Sequence, residues 1–184
     1  GLLPKHDSLV IDEAHHLENT ATRHFGFDVS EVQIMDELQR LSGNTGVIAN
    51  LVNSASEALM PLEMMHVTAE ETLAKAIRAT DTVRAMFGSI GDMTSLIISK
   101  ESAVNDIRLN DAVRNHPSWA AVAMAWENAD LALSALVACM RDLSSKVERE
   151  NESVDLEASL INIAAAMETL QGQKTALQQA FSGS

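Results

Sequence analysis

Residues 119–147, WAAVAMAWENADLALSALVACMRDLSSKV, contain the most regular pattern in the chain. Apolar side chains recur there in alternating steps of three and four residues: Trp119, Val122, Trp126, Ala129, Leu133, Leu136, Met140, Leu143 and Val147. A repeat that averages 3.5 residues keeps one apolar stripe of an α-helix turned towards a partner helix. Pro117 and Ser118 supply a start signal just before the repeat. The stretch therefore predicts one long helix of about eight turns, packed against a neighbour.

A second apolar repeat follows closely along the chain. Its positions are Leu156, Leu160, Ile163, Met167, Leu170, Lys174, Leu177 and Phe181. Lys174 is the one polar residue in this series. Residues 148–153 between the two repeats are polar and highly charged, and such a short connector between helices reverses the chain direction. We therefore predict an antiparallel pair, a long helical hairpin.

A third long pattern begins at Pro61. The three-four step is repeated by Leu73, Ala76, Thr80, Val83, Phe87 and Ile90, with Ile97 and Val104 as possible continuations. Gly88 and Gly91 interrupt it, and glycine costs about 1 kcal/mol relative to alanine inside a helix. The sequence therefore predicts a bend or a break near residues 88–92.

Shorter helices are predicted on both sides of this pattern. One spans 31–41, with Ser30 as its N-cap and Gly43 as its stop, and another spans 47–60. A short helical turn is expected within 106–115. The predicted fold class is all-α: an elongated antiparallel helical bundle with a long helical hairpin, preceded by a short orphan strand or extended segment.

Composition limits the kinds of protein that the chain can be. Its 184 residues suit one compact domain, and 13 basic against 26 acidic residues give a formal net charge of −13, which argues against an autonomous DNA-binding module. A single cysteine, Cys139, excludes an internal disulfide and a four-thiolate metal site made by this chain alone. No membrane-length apolar run and no signal peptide are apparent, so we predict a soluble, cytoplasmic protein with no membrane partner.

The first residues carry a motif that does not fit the helical pattern. Ser8-Leu9-Val10-Ile11 is a short β-branched run that ends directly on Asp12-Glu13-Ala14-His15. A buried strand that ends on adjacent carboxylates suits nucleotide hydrolysis, because the carboxyl end of such a strand faces the ligand crevice. The first acid can hold Mg²⁺ through water, and the second can orient or deprotonate the attacking water.

The segment 9–19, LVIDEAHHLEN, resembles the Walker B (DEAH-box) segment of superfamily 2 DNA helicases, specifically their DinG- and XPD-like branch. The resemblance implies that Asp12 assists Mg-ATP through water, that Glu13 positions the attacking water, and that His15 couples the nucleotide site to nucleic acid or to the second motor lobe. A looser similarity, in 108–119 and 125–128, is to the helical insertion called the arch domain, which stands over the translocating single strand in that branch.

The resemblance divides the chain into residues 1–25, the edge of the first motor lobe, and residues 26–184, an arch-like insertion. The chain has no P-loop; the closest string, Gly172-Gln173-Lys174-Thr175, lies inside the second apolar repeat. We therefore expect a piece of a longer helicase that is inactive by itself, with ATP and Mg²⁺ bound only in the parent. Its expected partners are single-stranded DNA and the remaining motor lobes, with self-association through residues 1–11 as a further possibility.

Several residues have a second interpretation. The histidines near the motif could bind a metal, but His15 and His16 are adjacent and diverge on a helix, which disfavours this. Trp119 and Trp126 could stack on bases, although their place in the repeat favours core packing. Cys139 adjoins the repeat and is expected to be a buried small hydrophobe.

The basic residues between 75 and 114 could touch phosphate, with Arg78, Arg84 and Arg108 as the candidate nucleic-acid contacts; the alternative is a solvated helical face. The members of this group are Lys75, Arg78, Arg84, Lys100, Arg108 and Arg114. For the whole chain, the alternative to a helicase part is a self-contained helical protein-interaction module in which the DEAH string has no role.

Overall fold

The computed structural model describes residues 29–57, 62–97, 109–150 and 156–182. Within these ranges 91% of the residues are helical and there is no strand, which confirms the all-α prediction. The orphan strand predicted before residue 12 lies outside the described residues. The helices are α1 (Glu31–Ser42), α2 (Val47–Glu57), α3 (Leu62–Ile97), α4 (Asp111–Arg114), α5 (Trp119–Glu150) and α6 (Glu157–Ser182).

The two longest helices, α3 and α5, pack side by side and run antiparallel. Near one end, Lys146 Nζ of α5 donates to Thr68 Oγ1 of α3 at 2.9 Å, and halfway along, Arg78 of α3 lies beside Leu131 of α5. The repeat predicted in α5 forms its buried face, with the following members buried: Val122, Ala129, Leu133, Leu136, Met140, Leu143 and Val147. One long, packed helix over 119–147 is confirmed.

Helix α6 returns along α5, as the hairpin prediction requires. Lys174 of α6 lies 3.3 Å from Asp130 of α5, and the ring of Phe181 stacks on Trp126. The packing of α5 against α3 is nevertheless more extensive than its packing against α6. Small buried residues on α3, such as Ala76 and Ala79, let two long helices lie close together over their length.

Helices α1 and α2 pack against α3 and α6. Ser30 caps α1 with a capping box, in which its hydroxyl accepts from Gln33 N–H and the Gln33 side chain accepts from Ser30 N–H. Helix α1 ends at Ser42, immediately before Gly43, as predicted. The following turn requires Gly46, since an added Cβ would lie 2.7–2.8 Å from three backbone carbonyl oxygens. Ile34, Leu38 and Leu41 on the inner face of α1 are fully buried.

Helix α3 is continuous through Gly88 and Gly91, so of the bend or break expected near residues 88–92 the break does not occur. Tertiary packing outweighs the low helix propensity of glycine there, because Met86 and Met93 on either side are buried in the core. The hydroxyls of Thr94 and Ser95 also donate to the Gly91 carbonyl. The helix predicted over 47–60 is α2, which is helical up to Glu57, while residues 58–60 lie outside the described residues; the helical turn expected within 106–115 is the four-residue α4.

Helix α5 alone among the described helices is long and apolar enough to cross a membrane by length and composition. That test is also passed by core helices of soluble proteins. The apolar seam of α5 is covered by other helices of the bundle, and Asp130 on its side pairs with a lysine of α6. These contacts make α5 a core helix of the bundle.

Candidate nucleic-acid interface

The sequence-predicted site residues fall in two groups. Asp12, Glu13 and His15, with Asp12 as the predicted Mg²⁺ and Mg-ATP contact, lie outside the described residues, and so does Arg108. Arg78 and Arg84 lie on α3, and both are exposed. The described structure therefore bears on the candidate nucleic-acid contacts alone.

Helix geometry separates the two described arginines. A helix turns 100° per residue, so six residues place Arg78 and Arg84 about 120° apart around α3. Arg84 Nη1 lies 3.5 Å from Asp81 Oδ1, in an exposed pair within the helix. The structure does not bring Arg78 and Arg84 onto one face.

Arg78 borders an open groove between α3 and α5. The groove has a volume of about 390 Å³, and its α3 wall includes Asp81 and Ala85, while Met124 and Asn128 stand on the α5 wall. Arg78 also borders the next hollow along the same helix pair, together with Lys75 and Leu131. Lys75 and Arg78 are three residues apart and so share this side of α3.

Carboxylates offset the basic charge of the groove. Asp81 stands beside Arg78, and Glu71 Oε1 lies 4.0 Å from Lys75 Nζ. Asp81, which pairs with Arg84, and Glu71, which pairs with Lys75, thus lower the net positive charge around Arg78, and exposed pairs of this kind are worth little energetically. The groove could hold a phosphate backbone only weakly, in a manner that depends strongly on salt concentration.

Arg114 has a structural role that its place in the predicted basic group did not indicate. Its guanidinium donates to the carbonyl oxygens of Ala180 and Phe181, at the last turn of α6, and lies 5.2 Å from the centre of the Trp119 ring. A cation there satisfies carbonyls that lack helical partners and complements the negative end of the helix dipole. Arg114 is therefore committed to holding the end of α6, and not to phosphate.

The tryptophans pack against an aromatic residue of this same chain. Trp126 stacks on Phe181 with ring centres 5.0 Å apart and planes 5° from parallel. Trp119 is tilted by 31° against the same ring, at 5.8 Å. Both indoles are half-buried, and each already has an aromatic contact, so the arrangement favours core packing over base stacking.

Cys139 has none of the features of an activated thiol. It is half-buried on α5, and burial raises the pKa of its thiol above the ordinary value. Glu71 raises the pKa further, whereas Lys75 acts in the opposite direction. A thiol with a raised pKa is mostly protonated at neutral pH and is a poor nucleophile. Cys139 is only partly enclosed, so the expectation of full burial is too strong.

Nothing in the described ranges forms a metal-binding cluster of three or more His, Cys, Asp or Glu residues. Comparison with protein-family models, with curated proteins and with solved structures finds no match to this chain.

The sequence patterns did not predict two features of α5. The partner of Lys174, the one polar residue in the second repeat, is Asp130, which stands outside the first repeat. The second feature is an apolar stripe on the outer side of α5, containing Met124 and Leu131. Their seven-residue separation is visible in the sequence, but the stronger repeat on the opposite side of the helix obscures it.

Proposed function

We propose that this chain is part of an ATP-dependent DNA helicase of the DinG type that acts in DNA repair or replication in the cytoplasm. The observation that carries the proposal is the segment 9–19, in which an apolar run leads into Asp-Glu-Ala-His. The tetrapeptide in this context is specific, since adjacent carboxylates at a strand end serve the two needs of phosphoryl transfer, a metal ion and an oriented water.

The roles of the motif residues follow from that chemistry. Asp12 is proposed to hold Mg²⁺ through a bound water, and Glu13 to position the water that attacks the γ-phosphate. His15 is proposed to link the nucleotide site to DNA or to the second motor lobe. A P-loop must come from elsewhere in the parent, so the 184 residues alone are expected to have no ATPase activity.

The helical bundle is proposed to act as the arch of that helicase, above the path of the single strand. An all-α body that joins on to the DEAH segment is compatible with this role. The hollow bordered by Lys75 and Arg78, next to the groove, is its candidate strand contact among the described residues. Because acids offset its charge, the arch alone is expected to bind DNA weakly and to depend on the motor lobes.

The decisive test concerns the ATPase of the protein encoded by the whole gene. A P-loop encoded upstream of Gly1 is expected, and Glu13→Gln should reduce DNA-stimulated ATP hydrolysis by about 10²–10⁴-fold with nucleotide binding retained. Glu18→Gln, the same isosteric change five residues later, is the matched control and should leave the rate within about threefold, since Glu18 has no proposed role in the chemistry. Absence of a P-loop, or equal effects of the two substitutions, would contradict the proposal.

The strand contact is tested separately with the 184-residue chain. Binding of a labelled single strand should weaken steeply as salt rises, and Arg78→Glu should weaken it at low salt. Arg84→Glu and Arg108→Glu examine the other candidates, and Arg149→Glu, on the exposed end of α5, is the control for net charge. Equal effects of Arg78→Glu and Arg149→Glu would show that the groove does not contact DNA. The helicase proposal would then depend on the ATPase test alone.

A second candidate function is favoured by one observation on α5. Met124 and Leu131 are large apolar side chains on a surface that no described helix covers. Such exposed apolar stripes mark interaction surfaces in soluble proteins. The alternative is accordingly a helical protein-interaction module without a catalytic role, and the upstream P-loop distinguishes it from a helicase part.

A further inference from the structure

The outer side of α5 has its own heptad pattern, separate from the buried seam. Residues 121, 124, 128, 131, 135 and 138 follow three-four steps along this side, and all are exposed except the half-exposed Ala135. Met124 is 64% exposed and Leu131 is 68% exposed. None of these positions is buried, although Ala121, Met124 and Asn128 line the groove beside α3, and Leu131 and Ala135 line the next hollow along the same helix pair. A helix with two apolar stripes can contact a second partner along the outer one.

The charges beside this outer stripe are arranged symmetrically. Glu127 and Arg141 are both exposed, and neither forms an ion pair with any residue in the described ranges. They occupy equivalent heptad positions, one placed seven residues before Ser134 and the other seven residues after it. These two positions are therefore complementary in charge when the segment meets its own reverse, while the next stripe position, Asp142, is paired with Lys146 of the same helix at 2.7 Å.

We propose that the outer stripe of α5 binds the same stripe of a second copy of this chain, antiparallel about a two-fold axis near Ser134. In that register Leu131 faces Ala135 of the second copy, and Glu127 faces Arg141 of the second copy. Two-fold symmetry makes every contact twice, so two identical ion pairs flank a small apolar centre. These flanking positions are the ones that set orientation and partner choice in coiled coils.

Charge decides between a second copy and other occupants. In a parallel alignment Glu127 would lie opposite Ala132 and Arg141 opposite Lys146, so no opposite charges would meet. A nucleic acid is disfavoured by the net charge of −13 and by the apolar character of the stripe. Opposite charges at equal distances from one centre are what an antiparallel self-contact needs. This contact does not involve residues 1–11, but Leu131 and Ala135 border the same hollow as Lys75 and Arg78, so a second copy and a nucleic-acid strand would compete for this side of the helix pair.

Charge reversal gives the sharpest test, with the dissociation constant of the dimer measured by sedimentation equilibrium at about 0.15 M salt. Glu127→Arg alone should raise the dissociation constant about tenfold or more, because both ion pairs become repulsive. Arg141→Glu alone should do the same. The double variant E127R/R141E should return the constant to within about threefold of the unchanged chain. Glu168→Arg on α6, with the same change in net charge, should have little effect.

A second variant tests the apolar centre. Leu131→Glu should shift the chain to monomer, whereas Ile161→Glu, at a 60% exposed site on α6, should not. Circular dichroism confirms that each variant is folded. The proposal is overturned if the unchanged chain is monomeric at about 100 μM, a concentration that reveals dissociation constants of that order. It is equally overturned if a dimer survives Leu131→Glu, or if the double charge reversal fails to restore association.

Discussion

The two sides of the α3–α5 pair are built from the same helices and yet have opposite characters. On one side α1, α2 and α6 cover the pair, and side chains such as Leu136 and Met140 are fully buried. On the other side no described helix covers the pair, and Leu131 and Met124 face outwards above a groove bordered by Arg78. The covered side holds the bundle together, while the open side is available for binding.

The difference between the two sides lies in residue size more than in polarity. The covered side has large apolar side chains at all but one seam position, whereas the outer stripe has only two, Met124 and Leu131, and its other positions are Asn128 and alanines. Alanine exposes little apolar area, so the stripe stays soluble while it is unpaired. It also lets another helix approach closely. The outer side can therefore associate reversibly without being needed for folding.

The largest expected effect is on the free energy of unfolding, which should respond differently to the same substitution on the two sides. Leu136→Ala should lower the free energy of unfolding by about 3 kcal/mol, because it removes buried methyl groups and leaves a cavity. Leu131→Ala, the same substitution five residues earlier, should change it by less than about 0.5 kcal/mol in the monomer. Urea denaturation at low protein concentration measures both values. Comparable losses would mean that the outer stripe is part of the folding core.

Removing the ion pair between α5 and α6 should have the next largest effect on the free energy of unfolding. Lys174 and Asp130 are 3.3 Å apart with side chains 26% and 33% exposed, and Asp130 Oδ1 accepts no hydrogen bond, so the pair is held by charge alone. Lys174→Met should cost about 1 kcal/mol, since it leaves a half-enclosed carboxylate without its cation, and partial exposure limits the loss. The double variant D130L/K174M should recover most of that loss. A double variant as unstable as Lys174→Met would show that the pair itself is not the source of the cost.

Sequence periodicity predicted the buried seam of α5 and its antiparallel return along α6, because 3.5-residue repeats are set by local helix geometry. It did not identify α3 as the more extensive partner of α5, which depends on small residues such as Ala76 meeting another helix distant in sequence. In the candidate interface, the angle that separates Arg78 from Arg84 around α3 could be predicted, because it follows from helix geometry alone. The hydrogen bonds from Arg114 to the end of α6 could not be predicted. Their acceptors, Ala180 and Phe181, lie 66 and 67 positions further along the chain.

Replacing the glycines of α3 should have a smaller effect, and it should raise the free energy of unfolding. Gly88→Ala and Gly91→Ala should each raise the free energy of unfolding by about 0.5–1 kcal/mol, because an added Cβ meets no atom within 4 Å and alanine favours the helix. Gly46→Ala, where the Cβ would collide with backbone carbonyls, should instead destabilise the chain. Thermal unfolding compares the three variants. A loss of stability in Gly88→Ala would indicate that the helix needs a flexible point there.

The smallest effect concerns Cys139, which lies on α5 within the electrostatic influence of Glu71 and Lys75 on α3. Burial raises the pKa of its thiol, followed by the charge of Glu71, so the folded state favours the neutral thiol. The resulting stabilisation is complete below the ordinary thiol pKa and is lost as the pH rises through the folded-state pKa. Because Cys139 is the only cysteine, the pH dependence of its alkylation by iodoacetamide reports this pKa directly. The midpoint should lie higher in the native chain than in urea, and Lys75→Met should raise it further while Glu71→Gln lowers it. A native midpoint at or below the unfolded one would mean that water reaches the thiol freely and that the α3–α5 contact is looser at this point than its packing indicates.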